Sequence, residues 1–139
     1  MPYKFLEHTA DVKIEVTEKT LEKAFISSAL ALKEVMSDNA SIKPKIKKEI
    51  KIKSENNESL LYDFLEQFLY LFDAKDFIIN DIAKIKITKS KGKLALIAKV
   101  IGDRASSYEF TNDVKAITYN EMKIERKKGR FIIQFVLDV

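Results

Sequence analysis

Cysteine is absent from the 139-residue chain, and histidine (1), proline (2) and glycine (3) are scarce. Without cysteine there can be no disulfide, thiolate metal site or thiol nucleophile. One histidine cannot build a multi-histidine zinc centre, and no His-Glu-x-x-His stretch occurs. Three glycines, none between a strand and a helix, cannot form a Walker or dinucleotide-binding loop. No Gly-x-Ser-x-Gly elbow is present, and Ser27-Ser28 fall in the middle of a helical pattern. No run approaches the roughly 18 apolar residues of a membrane span. Met1-Pro2-Tyr3-Lys4-Phe5 also lacks the basic-then-apolar opening of a secretory leader. Together these absences predict a cytoplasmic protein without membrane association and argue against a self-contained enzyme.

What is present reads as one globular domain over residues 1–139, with 46% apolar and 33% charged residues and a net charge of +4. The basic balance raises the expectation of an anionic partner. Val12, Ile14 and Val16 alternate with Lys13, Glu15 and Thr17, the period of a half-buried strand. Thr20 then caps a helix carrying Leu21, Ala24, Phe25, Leu32, Val35 and Met36 at helical spacing, ended by Asp38-Asn39. Alternation returns from Lys45 to Lys53. Asn57 is the expected cap of a second helix with Leu60, Leu61, Phe64, Leu65, Phe68, Leu69 and Phe72 on its buried face.

The remainder reads as strands. Ala83, Ile85 and Ile87 lead through a Ser90-Lys91-Gly92-Lys93 turn into Leu94, Leu96, Ala98 and Val100. A segment from Lys115 to Arg126 turns at Lys127-Lys128-Gly129 into Arg130 to Val139, with its alternation slipping near Tyr119 to Glu121 as at a bulge. The order β-α-β-α-β-β-β-β predicts an α+β fold, two helices on one face of a mixed, mostly antiparallel sheet.

Two acids stand out by position. Asp11 shares the outer parity of Lys13 and Glu15, and Asp138 opposes the face of Phe131, Ile133, Phe135 and Leu137. If the strands that hold them pair antiparallel, both acids meet at the sheet rim beside the terminal carboxylate. Such a group needs a cation or a basic side chain, and hard oxygen ligands suit Ca²⁺ or Mg²⁺. Two solvated acids at strand ends fit the same spacing. The lysine stripe from Lys43 to Lys53 and the basic hairpin of Lys123, Arg126, Lys127, Lys128 and Arg130 can meet phosphates or simply face solvent.

Phe5-Leu6-Glu7-His8-Thr9-Ala10-Asp11-Val12, Val114-Lys115-Ala116-Ile117-Thr118-Tyr119 and Val136-Leu137-Asp138-Val139 resemble the archease family, as does the second helix. The likeness spans the chain in order. It departs at Asn120, where archeases often carry His, and at Lys13, where they often carry Gly. The resemblance implies a protein that activates an RtcB-type RNA ligase in tRNA splicing, promoting nucleotidyl (GMP) transfer to the ligase and multiple turnover without ligating RNA itself. It implies a divalent cation, Ca²⁺ with Mg²⁺ or Mn²⁺ as alternatives, held by Asp11, Asp138 and the main chain of Val139. It also makes His8 and Lys115 candidate contacts to the ligase or to nucleotide phosphate. An RNA-binding or RNA-chaperone module acting on tRNA directly is the competing expectation; a metal-dependent hydrolase using His8 and Asp11 is a third.

Overall fold

A computed structural model describes residues 2–6, 11–37, 40–110 and 113–139. Seven strands and two long helices follow in the order β1 (Tyr3–Leu6), β2 (Asp11–Glu18), α1 (Leu21–Ser37), β3 (Ile46–Ser54), α2 (Asn57–Lys75), β4 (Phe77–Ser90), β5 (Lys93–Arg104), β6 (Ala116–Lys127) and β7 (Arg130–Asp138). A 3-10 turn at Ala105–Ser107 follows β5.

The α+β class and the two-helix plan hold, but the strands divide into two sheets instead of one. One sheet has the order β1-β2-β7-β6 and the other β3-β5-β4, and every pairing in them is antiparallel. Hydrophobic alternation reports which face of a strand is buried, not which strand lies beside it, so the split was not visible in the pattern. The stretch between β5 and β6 is long enough to carry the chain from one sheet to the other. Each helix packs against strands of both sheets, which joins the two ladders through a shared helical layer.

Local chemistry sets the element boundaries. Thr20 Oγ1 accepts from the Lys23 backbone N–H at 3.1 Å, as its position before α1 predicts. The cap of α2 is Asn56, one residue earlier than expected. Asn56 is extended and its side chain accepts from the Ser59 N–H at 2.8 Å, whereas Asn57 is already helical. The β4–β5 and β6–β7 turns each place consecutive residues at positive φ: Lys91 (52°) with Gly92 (76°), and Lys128 (53°) with Gly129 (75°). That pairing matches the twist of the flanking strands. Asp76, also at positive φ, ends α2 and accepts 2.7 Å bonds from the backbone N–H and hydroxyl of Ser106, pinning the 3-10 turn.

The core is continuous through both sheets. Ile14, Val16, Phe25, Leu32, Leu60, Phe64, Leu96, Val100, Ile133 and Phe135 are all fully buried within it. Phe77, Ile78 and Ile79 are buried in succession, so the start of β4 shows no alternation. Among the described residues no helix is long and apolar enough to cross a membrane.

Candidate metal centre

The register between β2 and β7 follows from the core. Ile14 and Val16 face Phe135 and Ile133, all with no exposed surface. A slip of one residue would turn Asp138 inward and expose Phe135, so the register is strongly specified. Carried to the end of the ladder, it sets Asp11 directly opposite Asp138. On the other side of β7, Asp138 faces Ala116, and the Lys115 backbone N–H donates to the Asp138 carbonyl at 2.8 Å. Three strands therefore converge where β2 and β6 begin and β7 ends, and Val139, 40% exposed, follows directly.

Lys13, the next outward residue on β2, forms a 3.0 Å ion pair with Glu121. Glu15 is engaged by Lys4 at 3.2 Å. Glu121 reaches Lys13 because β6 is irregular between Thr118 and Lys123, with Glu121 itself at φ 62° and its carbonyl accepting from Gln134 Nε2 at 2.9 Å. The alternation slip at Tyr119 to Glu121 marks this bulge. Lys13 thus ties β2 to the β6 bulge, one outward position along from Asp11.

The oxygens available at the rim are hard ones: the carboxylates of Asp11 and Asp138, with the main chain of Val139 next in sequence. That set suits a calcium- or magnesium-like cation better than zinc. Among the described residues no cluster of three or more His, Cys, Asp or Glu side chains occurs, so main-chain oxygen would have to complete any shell. Lys115 is exposed and lies beside Asp138 through its backbone bond. His8, with Thr9 and Ala10, lies outside the described residues, as do Asp38 and Asn39, the expected end of α1.

Ser27 and Ser28, set aside as nucleophiles from sequence, are engaged structurally. Ser27 donates to Glu18 at 2.8 Å and Ser28 to the Ala24 carbonyl at 2.8 Å. One feature of this end of the molecule had no signal in the periodicity. Tyr119 on β6 stacks on Tyr62 of α2, with ring centroids 4.2 Å apart and planes 6° from parallel, and Tyr119 is 52% exposed. Burial of the hydroxyl, followed by the charge of Asp63, pushes the Tyr119 pKa up. Next to it, the Asn120 backbone N–H donates to Thr118 Oγ1 at 3.0 Å, leaving the Asn120 side chain exposed.

Comparison with known proteins finds the same family and fold over nearly the full length. The model of the Archease protein family matches residues 3–139. The chain is 43% identical over 136 residues to the protein archease of Pyrococcus furiosus, covering 96% of this chain and 95% of that one. The Thermococcus kodakarensis protein archease is 40% identical over the same length and coverage. The solution structure of protein 1598 from Methanobacterium thermoautotrophicum superposes with a TM-score of 0.84 at 30% identity, covering 99% of both chains. A Thermotoga maritima crystal structure, described as an archease and possible chaperone, shares the fold with a TM-score of 0.62 at 23% identity, covering 98% of this chain and 96% of that one.

Proposed function

Since the chain belongs to the archease family, we propose that it serves as a protein activator of an RtcB-type RNA ligase, promoting nucleotidyl (GMP) transfer to the ligase and restoring it for further rounds of tRNA joining. The observation that carries this reading is the register pair Asp11 and Asp138, set opposite each other by the β2–β7 ladder. In this proposal these residues hold a divalent cation, most simply Ca²⁺, with Mg²⁺ or Mn²⁺ as alternatives. When bound, the cation would supply a fixed positive charge facing the ligase or its nucleotide. Asp11 and Asp138 would hold it, and the β2–β7 ladder would fix their separation. Lys115, exposed next to Asp138, would add a mobile cation for a ligase carboxylate or a nucleotide phosphate. We place this work in the cytoplasm, with the tRNA ends to be joined reached through the ligase.

The test is multiple-turnover joining of RNA halves by the cognate ligase, with this protein present below the RNA concentration. Products per ligase should rise well above one with the protein and stay near one without it, and the protein alone should join nothing. Unchanged turnover would refute the activator reading, and RNA joining by the purified protein would show it to be an enzyme.

A further inference from the structure

The two sheets carry their charge differently. On β1-β2-β7-β6 the lysines near the centre are paired with acids, Lys13 with Glu121 and Lys4 with Glu15, and further basic residues gather at the β6–β7 hairpin. On β3-β5-β4 the register gathers lysines. Lys51, Ile97 and Lys86 lie in one row across the three strands, and Glu49, Lys99 and Lys84 in the next. Lys47 and Lys53 continue the face on β3. Against these six lysines stand Glu49, which meets Lys51 at 3.3 Å, and Asp81, whose carboxylate accepts from the Ile82 backbone N–H at 2.7 Å.

All six lysines are exposed, and the inner side of the same sheet is the one covered, with Ile50, Leu96, Ala98 and Val100 buried. Between the lysines the centre of the face is low and apolar: Ala95, Ile97 (46% exposed) and Ile101. A shallow trough of about 390 Å³ opens there, bordered by Lys47, Glu49, Ala83 and Lys99.

Lys84 and Lys99 are direct cross-strand partners, an arrangement that opposes sheet formation. A face serving only solubility intersperses the two signs, as Lys4, Glu15, Lys13 and Glu121 do on the other sheet. The composition also argues against a protein partner, since protein–protein interfaces are depleted in lysine and enriched in aromatic residues and arginine. This face has neither in its rows. It likewise offers no ring for base stacking and no planar fork for reading base edges, which leaves contacts to phosphate.

We infer that the outer face of β3-β5-β4 is a docking surface for the phosphate backbone of RNA, engaged without regard to base sequence. The choice of RNA over DNA rests on the proposed ligase partnership; the phosphate chemistry rests on the face alone. The surface belongs to the sheet that does not carry Asp11 and Asp138, so a bound RNA and a rim-held cation need not compete.

Fluorescence anisotropy with an RNA duplex of about 20 base pairs, using the whole protein without ligase, tests the inference. Four phosphate contacts would weaken binding on the order of 100-fold between about 50 and 200 mM salt. Lys84→Glu/Lys86→Glu should weaken binding at least tenfold and flatten the salt slope by about two contacts. Lys123→Glu/Lys127→Glu on β6, an equal charge change elsewhere, should leave binding within about twofold, a difference below roughly 0.5 kcal/mol. If the glutamate pair fails to fold by circular dichroism, Lys84→Gln/Lys86→Gln replaces it, with a loss of at least threefold expected.

Equal loss in the β6 variant, tighter binding to DNA of the same length, full competition by poly-glutamate of matched charge, or no salt-sensitive binding would each overturn the inference. Face-dependent RNA binding without ligase stimulation would remove the activator reading and keep the surface. Stimulation with no RNA binding would remove the surface and keep the activator.

Discussion

Replacing Asp138 with asparagine should leave the metal-free protein close to native in stability and the calcium-loaded protein much less stable. The substitution keeps shape and backbone, so the bond from the Lys115 N–H to the residue-138 carbonyl at 2.8 Å survives. What it removes is one of two carboxylates on residues placed directly opposite each other in the ladder. Asp138 is exposed, and a surface change of this kind moves stability by no more than about 0.5 kcal/mol in either direction, or about 2 °C of melting temperature in chelator. With calcium at about 100 times its dissociation constant, the native protein should gain about 2.7 kcal/mol. A variant bound about 100-fold more weakly would gain only about 0.4 kcal/mol under the same conditions. The gap between the two proteins therefore opens only on adding metal. Paired thermal melts with chelator and with calcium, alongside calorimetric titration, measure both halves. An equal calcium increment in the two proteins would refute the placement of the site, and a variant already much less stable in chelator would show that Asp138 works for the fold instead.

Three further outcomes follow from the fold. A Cβ at Gly102 would lie 2.1 Å from the Ile78 carbonyl oxygen and 2.7 Å from Phe77 Cζ, so Gly102→Ala should cost about 3 kcal/mol or more in urea unfolding. Asn56→Ala should lose about 1 kcal/mol through the cap on the Ser59 N–H, while Asn57→Ala should change stability by less than about half of that; equal costs would contradict the cap assignment. Burial and the hydrogen bond to Glu34 push the Tyr3 pKa up to about 12. The folded state thus keeps a proton that the unfolded chain releases near pH 10. The associated stability is complete below pH 10 and falls as pH rises toward 12, and Tyr3→Phe should flatten that decline in melts taken across the window.

The meeting of Asp11 and Asp138 could be read from parity alone. Asp11 and Asp138 were placed on outer faces by counting along alternating strands, and their meeting required only that those strands pair antiparallel, which they do. The bulge at Tyr119 to Glu121 announced itself as a break in the same count. Other features carried no such mark. β1 spans four residues, too few to show a period, and Phe77, Ile78 and Ile79 are buried in succession and look alike to any pattern. Tandem asparagines hid which one caps α2. The lysine face needed the cross-strand register of β3, β5 and β4, because a stripe on one strand does not reveal what its neighbours contribute. The Tyr62–Tyr119 stack joins a helix to a strand, and no local spacing encodes it.

The strand order β1-β2-β7-β6 gives the molecule a late assembly step. β7 lies between β2 and β6, so during synthesis β2 must wait with one ladder edge open until residues 130–138 have been made. Closing so large a loop is slow compared with forming the β4–β5 and β6–β7 hairpins, which join neighbours in sequence. Asp11 acquires its opposing carboxylate only as this last strand docks. The rim would then act as a maturity mark, and nascent or partly folded chains should retain no calcium.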